Sequence, residues 1–239
     1  YHGDPDFYYV PIKQILSKQY SKDLSDQISG MRTPDGQIYE GDLTKYDESP
    51  DTTHFSVIDS KGNAVSNTYT LGSSFGSGVT IKKGGFLMNN QMRNFSHFYG
   101  RDDMQYGTSE ANKLEPGKRM ISTQTPTLVF NPNGDLFMIL GSPGGGRIPN
   151  IITQVISNVI DHEMSFTEAV IAPRINQRLE GNLQLETGFS PDTISLLIDR
   201  GHEVESSNTM GSVQAIFLDQ GNIYGVADTR RPGALAKGN

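Results

Sequence analysis

Cysteine and tryptophan are both absent from the 239 residues. Without a thiol there is no cysteine nucleophile, no disulfide framework and no cysteine-ligated metal, although either redox compartment remains compatible. Long apolar runs are missing too: none approaches the ~18 residues of a membrane span. Nor is there a cluster of Lys and Arg, and the net charge of -7 is spread along the chain, which argues against nucleic acid as the main partner. No internal repeat or low-complexity tract is visible. The chain opens Tyr1-His2-Gly3-Asp4-Pro5 without an initiator methionine, a basic n-region or an apolar h-region, so it reads as a fragment of a longer protein.

What is there describes a soluble globular chain with many loops: 35% hydrophobic residues, 9% aromatics and 26 glycines. The length allows one large domain or two small ones. Over residues 9–29 the apolar positions Val10, Ile12, Ile15, Leu16, Tyr20, Leu24 and Ile28 fall at roughly helical spacing, with Pro11 suited to a first turn. One or two short helices are expected there. Residues 30–51 are polar and acidic, punctuated by Pro34-Asp35-Gly36 and Ser49-Pro50-Asp51, and read as an exposed connector.

The character changes at Thr52. Residues 52–59, a turn at Ser60-Lys-Gly-Asn63 and residues 64–70 predict a β-hairpin. Further strands are expected at 78–82, 85–89, 126–131, 136–140, 183–186, 202–206, 213–218 and 223–227, with turns at Asn131-Pro-Asn-Gly134 and Asp219-Gln-Gly-Asn222. Helices are signalled at 149–162 by Ile151, Ile152, Val155, Ile156, Val159 and Ile160, and at 166–172 by the Ser165/Glu168 capping pattern. A third runs from Ser190-Pro191 to Gly201. Strands grouped with helices between and after them predict a layered α/β or α+β fold.

Acyl transfer needs a nucleophile with a base beside it, and the histidines are scattered at 2, 54, 97, 162 and 202. A threonine at a new chain start supplies both. If the Asp51–Thr52 bond is cut, the freed α-amine of Thr52, with a pKa of about 7.7–8.0, can take the proton of its own hydroxyl. The same hydroxyl could first attack the Asp51 carbonyl to make the cut. Thr52-Thr53 can equally open an ordinary strand, and only its context decides. The loop Gly141-Ser-Pro-Gly-Gly-Gly-Arg147 follows an apolar strand and precedes a helix, which suits an oxyanion or anion site, or simply a tight turn. A phosphate loop is excluded by the missing Gly-Lys-Ser/Thr ending. Gly72-Ser-Ser-Phe-Gly76 matches a serine-hydrolase elbow on Ser74, but a strand rather than a helix follows, which favours a plain Gly/Ser loop.

Taken together, Thr52-Thr-His-Phe-Ser-Val-Ile-Asp59, Thr68-Tyr-Thr-Leu71, Phe86-Leu-Met-Asn-Asn-Gln-Met92, Gly117-Lys-Arg119, Gly141-Ser-Pro-Gly-Gly145 and Ala227-Asp-Thr-Arg-Arg-Pro-Gly233 resemble the γ-glutamyltransferase family in order and spacing. The resemblance covers essentially the whole chain. It implies an α+β fold, the αββα sandwich of N-terminal nucleophile hydrolases, incomplete here without most of the large subunit. Residues 1–51 would be the end of the large subunit with its pre-cleavage connector, and 52–239 the small catalytic subunit.

The implied activity is self-processing followed by transfer or hydrolysis of γ-glutamyl amides such as glutathione, through a γ-glutamyl ester on Thr52. Thr70 would support the nucleophile, and Gly144 and Gly145 would donate the oxyanion-hole N–H groups. Ser122 and Thr123 would bind the substrate α-carboxylate, while Gln91 and Asn94 stand at the positions facing its α-amine. No cofactor or metal is implied, the partners are the large subunit of the same precursor and a small γ-glutamyl or glutaryl substrate, and the location implied is extracytoplasmic, secreted or periplasmic, with the cytoplasm left open. Two departures bear on substrate: the family's asparagine after Tyr-Thr-Leu is Gly72, and its acidic residue after Asn-Asn-Gln-Met is replaced by Arg93-Asn94. Losing an anionic acceptor and gaining a cation disfavours a free ammonium, so glutaryl-cephalosporin acylase and poly-γ-glutamate depolymerase activities stay open. A family member that has lost activity and serves as a binding protein is the non-enzyme alternative.

Overall fold

In the computed structural model, residues 3–34, 37, 52–96, 110–177 and 181–238 are described. The connector expected at 30–51 therefore lies mostly outside them, as do Asp51, His2 and His97. In chain order the elements are α1 (Ile12–Ile15), α2 (Lys18–Ser25), β1 (Thr53–Ile58), β2 (Ala64–Tyr69), β3 (Thr80–Ile81), β4 (Phe86–Leu87), β5 (Thr127–Phe130) and β6 (Leu136–Gly141). There follow α3 (Ile148–Ile160), α4 (Phe166–Ile171), β7 (Ile175–Asn176), β8 (Leu183–Leu185), α5 (Pro191–Asp199), β9 (Val204–Ser206), β10 (Gln214–Asp219) and β11 (Asn222–Ala227). Two compact units result, the first from Tyr1–Tyr46, Met92–Ser122 and Gln177–Ser206, the second from Asp47–Gln91, Thr123–Asn176 and Ser207–Asn239.

The second unit is layered. Its centre is an antiparallel four-stranded sheet in the order β11-β10-β6-β5. The β10–β11 link is a two-residue turn in which Gln220 and Gly221 both have positive φ, 48° and 81°, the geometry that matches the twist of a tight hairpin. Strand alternation turns Met138 and Leu140 of β6, and Ala215 and Phe217 of β10, toward one face. There they meet Ile148, Ile151, Ile152 and Val155, which helical periodicity places along one stripe of α3. Val170 of α4 joins this core, and the Phe166 ring stacks on Phe217 with centroids 4.4 Å apart. Each of these buried Val, Leu, Ile, Met and Phe side chains contributes roughly 1.5–3 kcal/mol of transfer free energy.

α3 is shorter at its end than the spacing predicts. Asp161 caps it and Glu163 takes a positive φ of 52°, so the chain leaves the helix before His162. α4 carries the expected capping box: the Ser165 side chain accepts from the Glu168 N–H while the Glu168 carboxylate accepts from the Ser165 N–H.

On the opposite face of the sheet, the β1–β2 hairpin lies over β6 and β10. The contact is partly polar. Ser56 Oγ lies 3.1 Å from the Gln214 carbonyl and 3.3 Å from that of Ile139, while Ser66 Oγ donates to the Leu140 carbonyl at 2.9 Å and accepts from Thr127 N–H at 3.1 Å. The hairpin turn is shaped by Asp59, whose carboxylate accepts from the N–H groups of Lys61 and Asn63 and from the Asn63 side chain. Strand hairpin, sheet and helices thus give three of the four layers of an αββα sandwich.

In the first unit, α2 is capped by Ser17 and α5 by Ser190, each hydroxyl accepting an N–H three residues on at 3.1 Å. Parallel β8 and β9 pair from Leu183↔Val204 to Leu185↔Ser206, joined through α5. Arg32 N–H donates to the Arg200 carbonyl at 2.7 Å. Asp4 is buried and accepts from the backbone N–H of Arg119 at 2.8 Å and from its guanidinium, which also reaches Asp6.

Candidate active site

Thr52 stands one residue before β1 and is 4% exposed. Its carbonyl accepts a hydrogen bond from Arg231 Nη1 at 2.7 Å, which fixes the start of the strand. Two residues on, the buried His54 ring is held at both nitrogens, Nδ1 2.8 Å from Thr68 Oγ1 and Nε2 3.1 Å from Ser56 Oγ. Burial pushes its pKa down to about 4, so the ring is neutral near pH 7. The ring also lies against Gly141, where any Cβ would run into it. Gly141 ends β6 and opens the glycine loop. The start of β1 and the loop after β6 therefore meet at one end of the sandwich.

From Gly141 the chain passes through buried Ser142 and Pro143 to Gly144 and Gly145, with φ of 141° and 56°. Both values favour glycine. A turn of 3₁₀ helix over Gly145–Arg147 then leads into α3, whose first turn carries Pro149. Arg147 N–H donates to the Gly144 carbonyl at 3.1 Å and Thr123 Oγ1 to that of Gly145 at 3.0 Å. With the carbonyls so engaged, the Gly144 and Gly145 N–H groups meet no acceptor among the described residues, the disposition an oxyanion hole needs.

The loop is backed by residues 210–213. Ser142 Oγ accepts from Ser212 N–H at 3.0 Å, and Gly211, at φ 67°, leaves no room for a Cβ beside Ser142, Pro143 and Ile151. That backing strand end is pinned from below. Arg174, 2% exposed, donates to the Met210 carbonyl at 2.6 Å and to Asp228 at 2.7 Å, and Asp228 accepts from Val213 N–H at 3.0 Å. Burial alone would raise the Asp228 pKa, but the Arg174 charge and the N–H groups of Arg230 and Val213 outweigh it and hold the carboxyl below its ordinary value.

The remaining expected positions are placed as follows. Thr70 follows β2, and its Oγ1 accepts the Gly72 N–H at 2.9 Å, leaving its own proton to donate elsewhere. Gly72 has φ 95°, and Asn90 Oδ1 occupies the space where a side chain would begin. Asn90 is itself fixed there, accepting from Ser73 N–H at 3.0 Å and donating to Ser73 Oγ at 2.9 Å. Ser74 is exposed in this turn, and β3 follows it, in keeping with a plain loop. Gln91 opens the 3₁₀ turn Gln91–Asn94. Thr123 belongs to the second unit; Asn94, buried, and Ser122, exposed, belong to the first.

Thr52, the glycine loop and Thr123 are thus positions that the sequence singles out, and the fold places all three in the second unit. The roles of His54, Arg231, Arg174 and Asp228 are not singled out, since each acts through a fold contact far along the chain. The Thr-Thr-His and Asp-Thr-Arg-Arg segments marked His54, Asp228 and Arg231, as motif rather than as role, and no motif marked Arg174.

A helix-backed antiparallel sheet carrying a threonine at the start of a strand and a glycine loop beside it is the architecture of an N-terminal nucleophile hydrolase. The family model for gamma-glutamyltranspeptidase matches residues 1–238, and the chain belongs to that family. It is 42% identical over 243 residues to the glutathione hydrolase proenzyme of Escherichia coli (strain K12), covering 100% of this chain and 41% of the relative. The acylase ACY 1 proenzyme of Pseudomonas sp. (strain SE83) is 35% identical over 233 residues, covering 97% of this chain and 39% of the relative. A crystal structure of a mutant gamma-glutamyltranspeptidase from Helicobacter pylori superposes with a TM-score of 0.68 at 42% identity, covering 75% of this chain and 100% of that one. The chain spans about two fifths of the length of the curated relatives it matches. Among the described residues no helix is long and apolar enough to cross a membrane.

Proposed function

We propose that the whole protein is a precursor that cuts itself at Asp51–Thr52 and then uses Thr52 as an N-terminal nucleophile on γ-glutamyl amides. The observation that carries this is the meeting of the Thr52 end of β1 with the Gly141–Gly145 loop, with His54 lying against Gly141. In processing, Thr52 Oγ adds to the Asp51 carbonyl, the peptide nitrogen leaves as the free amine of Thr52, and water opens the resulting ester. In turnover, that amine takes the hydroxyl proton as Oγ adds to the donor's γ-carbonyl. The N–H groups of Gly144 and Gly145 receive the developing oxyanion, and the proton passes to the departing amine. Water or an acceptor amine then releases the acyl group. Thr70 donates its hydroxyl proton to support Thr52.

The donor's α-carboxylate is assigned to Ser122 and to Thr123, whose hydroxyl must first turn from the Gly145 carbonyl. Its α-amine is assigned to Gln91 and Asn94. On this reading residues 1–51 end the large subunit, which stays as partner to residues 52–239, outside the cytoplasm. The outer face of the hairpin suits such a partner: Phe55, Val57, Val65 and Tyr69 form an exposed apolar strip on it.

Donors without a free α-amine are a second reading, favoured by Gly72. Asn90 fills the space beside it, so the family's asparagine has no counterpart there. Glutaryl amides and internal γ-glutamyl links need no ammonium partner, and one relative is by name an acylase.

Both readings are tested on the full-length precursor with a panel of γ-glutamyl, glutaryl and poly-γ-glutamyl amides, beside Thr52→Ala. The parent should split in two on a denaturing gel and turn over at least one class. The variant should remain whole and inactive. Cleavage of Thr52→Ala at this bond as fast as the parent would assign the cut to another protease and remove Thr52 from the mechanism.

A further inference from the structure

Asn112 has no exposed surface, yet its side chain is a primary amide that must place both donors and an acceptor. It does so between two segments of the first unit. Nδ2 donates to the Asn94 carbonyl at 2.7 Å and to Ser96 Oγ at 3.2 Å. Oδ1 accepts the Ile121 N–H at 3.1 Å, and the Asn112 carbonyl accepts from Ser96 N–H at 3.0 Å. One planar group thus joins the end of the Gln91–Asn94 turn to the residue immediately before Ser122.

Resting on the reading that Asn94 and Ser122 hold the two charged groups of a γ-glutamyl head, we propose that Asn112 is a positioning residue that sets the spacing between them. The α-amine and α-carboxylate of the donor sit on one carbon, so their partners must be held at a fixed separation or one contact is lost. A rigid buried amide bonded to both segments supplies that constraint without touching substrate. Its removal takes away the amide's hydrogen bonds to the Asn94 carbonyl and from the Ile121 N–H, and with them the direct tie between the two segments. The nucleophile, the glycine loop and Thr70 belong to the second unit, and none of their hydrogen bonds involves Asn112.

The test uses processed, full-length enzyme and γ-glutamyl and glutaryl anilides, comparing the parent with Asn112→Ala and Ser96→Ala, the latter removing one acceptor of the same amide. Asn112→Ala should still process at Thr52 and keep kcat within about twofold, with KM for the γ-glutamyl donor raised ~10-fold or more. The glutaryl donor, which lacks the amine, should lose much less. Ser96→Ala should move the same KM by roughly twofold. An unchanged KM ratio between donors in Asn112→Ala overturns the assignment. If Asn112→Ala fails to process, Ser96→Ala decides: a selective KM shift supports the role and none removes it. A parent that turns over no γ-glutamyl donor defeats the reading that Asn94 and Ser122 hold a γ-glutamyl head, and this proposal with it, an outcome visible before any variant is made.

Discussion

His54 carries a consequence that no motif announces. Free in an unfolded chain its ring titrates near 6.5, but burial in the folded protein pushes it down to about 4. Above pH 6.5 both states are neutral there, and the ring contributes no pH dependence. Between about 6.5 and 4 the unfolded chain takes up a proton that the folded chain refuses, so stability should fall as pH is lowered through that window. Thermal midpoints measured every half unit should show a steeper loss in the parent than in His54→Asn. Equal slopes would mean that the ring is protonated in the folded state. At this scale the sequence marks candidates where the signal is local: a threonine after a polar stretch and glycines before a helix. It was silent on His54 because a histidine one residue past Thr53 alternates inward only once the hairpin is seated on the sheet, and its partners Thr68 and Gly141 come from other strands.

Elements were more legible than contacts. The apolar stripe of α3, the Ser165/Glu168 box of α4 and the alternation of β6 and β10 are local signals, and each element formed where its signal lay. Their ends moved by a residue or two: the strands expected at 78–82 and 85–89 shrink to Thr80–Ile81 and Phe86–Leu87, closing a tight turn among exposed residues. What the pattern could not show was sheet order, because β10, a local hairpin partner of β11, pairs on its other edge with β6, more than seventy residues away in the chain. The capping box offers a measurable stake at this scale. The Ser165 hydroxyl holds the first turn of α4, which carries Ala169 and Val170 into the core. Ser165→Ala should lower unfolding free energy by about 0.5–2 kcal/mol, read as a shifted urea midpoint at constant m-value, with the kinetics on any donor unchanged. A shift below ~0.3 kcal/mol would mean that α4 is held by its core contacts alone.

At the scale of the molecule, the proposed cut and the compact units do not coincide. The cut separates residues 1–51 from 52–239, whereas the first unit takes Tyr1–Tyr46 from one side and Met92–Ser122 with Gln177–Ser206 from the other. Across that divide Arg32 N–H meets the Arg200 carbonyl, Gly3 packs on Ala111 with no room for a Cβ, and Asp4 accepts three hydrogen bonds from Arg119. Processing should therefore leave the two products associated, giving two bands on a denaturing gel and one peak on a sizing column. The Asp4 contact adds a pH signature. Its hydrogen bonds from the Arg119 side chain hold the Asp4 carboxyl below its ordinary value of 3.8, and the raised Arg119 reports the same pairing. A carboxyl depressed in the associated state contributes its full effect above 3.8 and loses it as pH falls below that value. Association should accordingly be insensitive to pH from neutrality down to about 4 and weaken only beneath it, and Asp4→Asn should weaken it above about 4 while flattening that acid limb. Native mass spectrometry of the processed protein from pH 7 to pH 3 checks both. Separation of the products at neutral pH, or an acid limb unaltered in Asp4→Asn, would show that Asp4 and Arg119 do not hold the unit together across the cut.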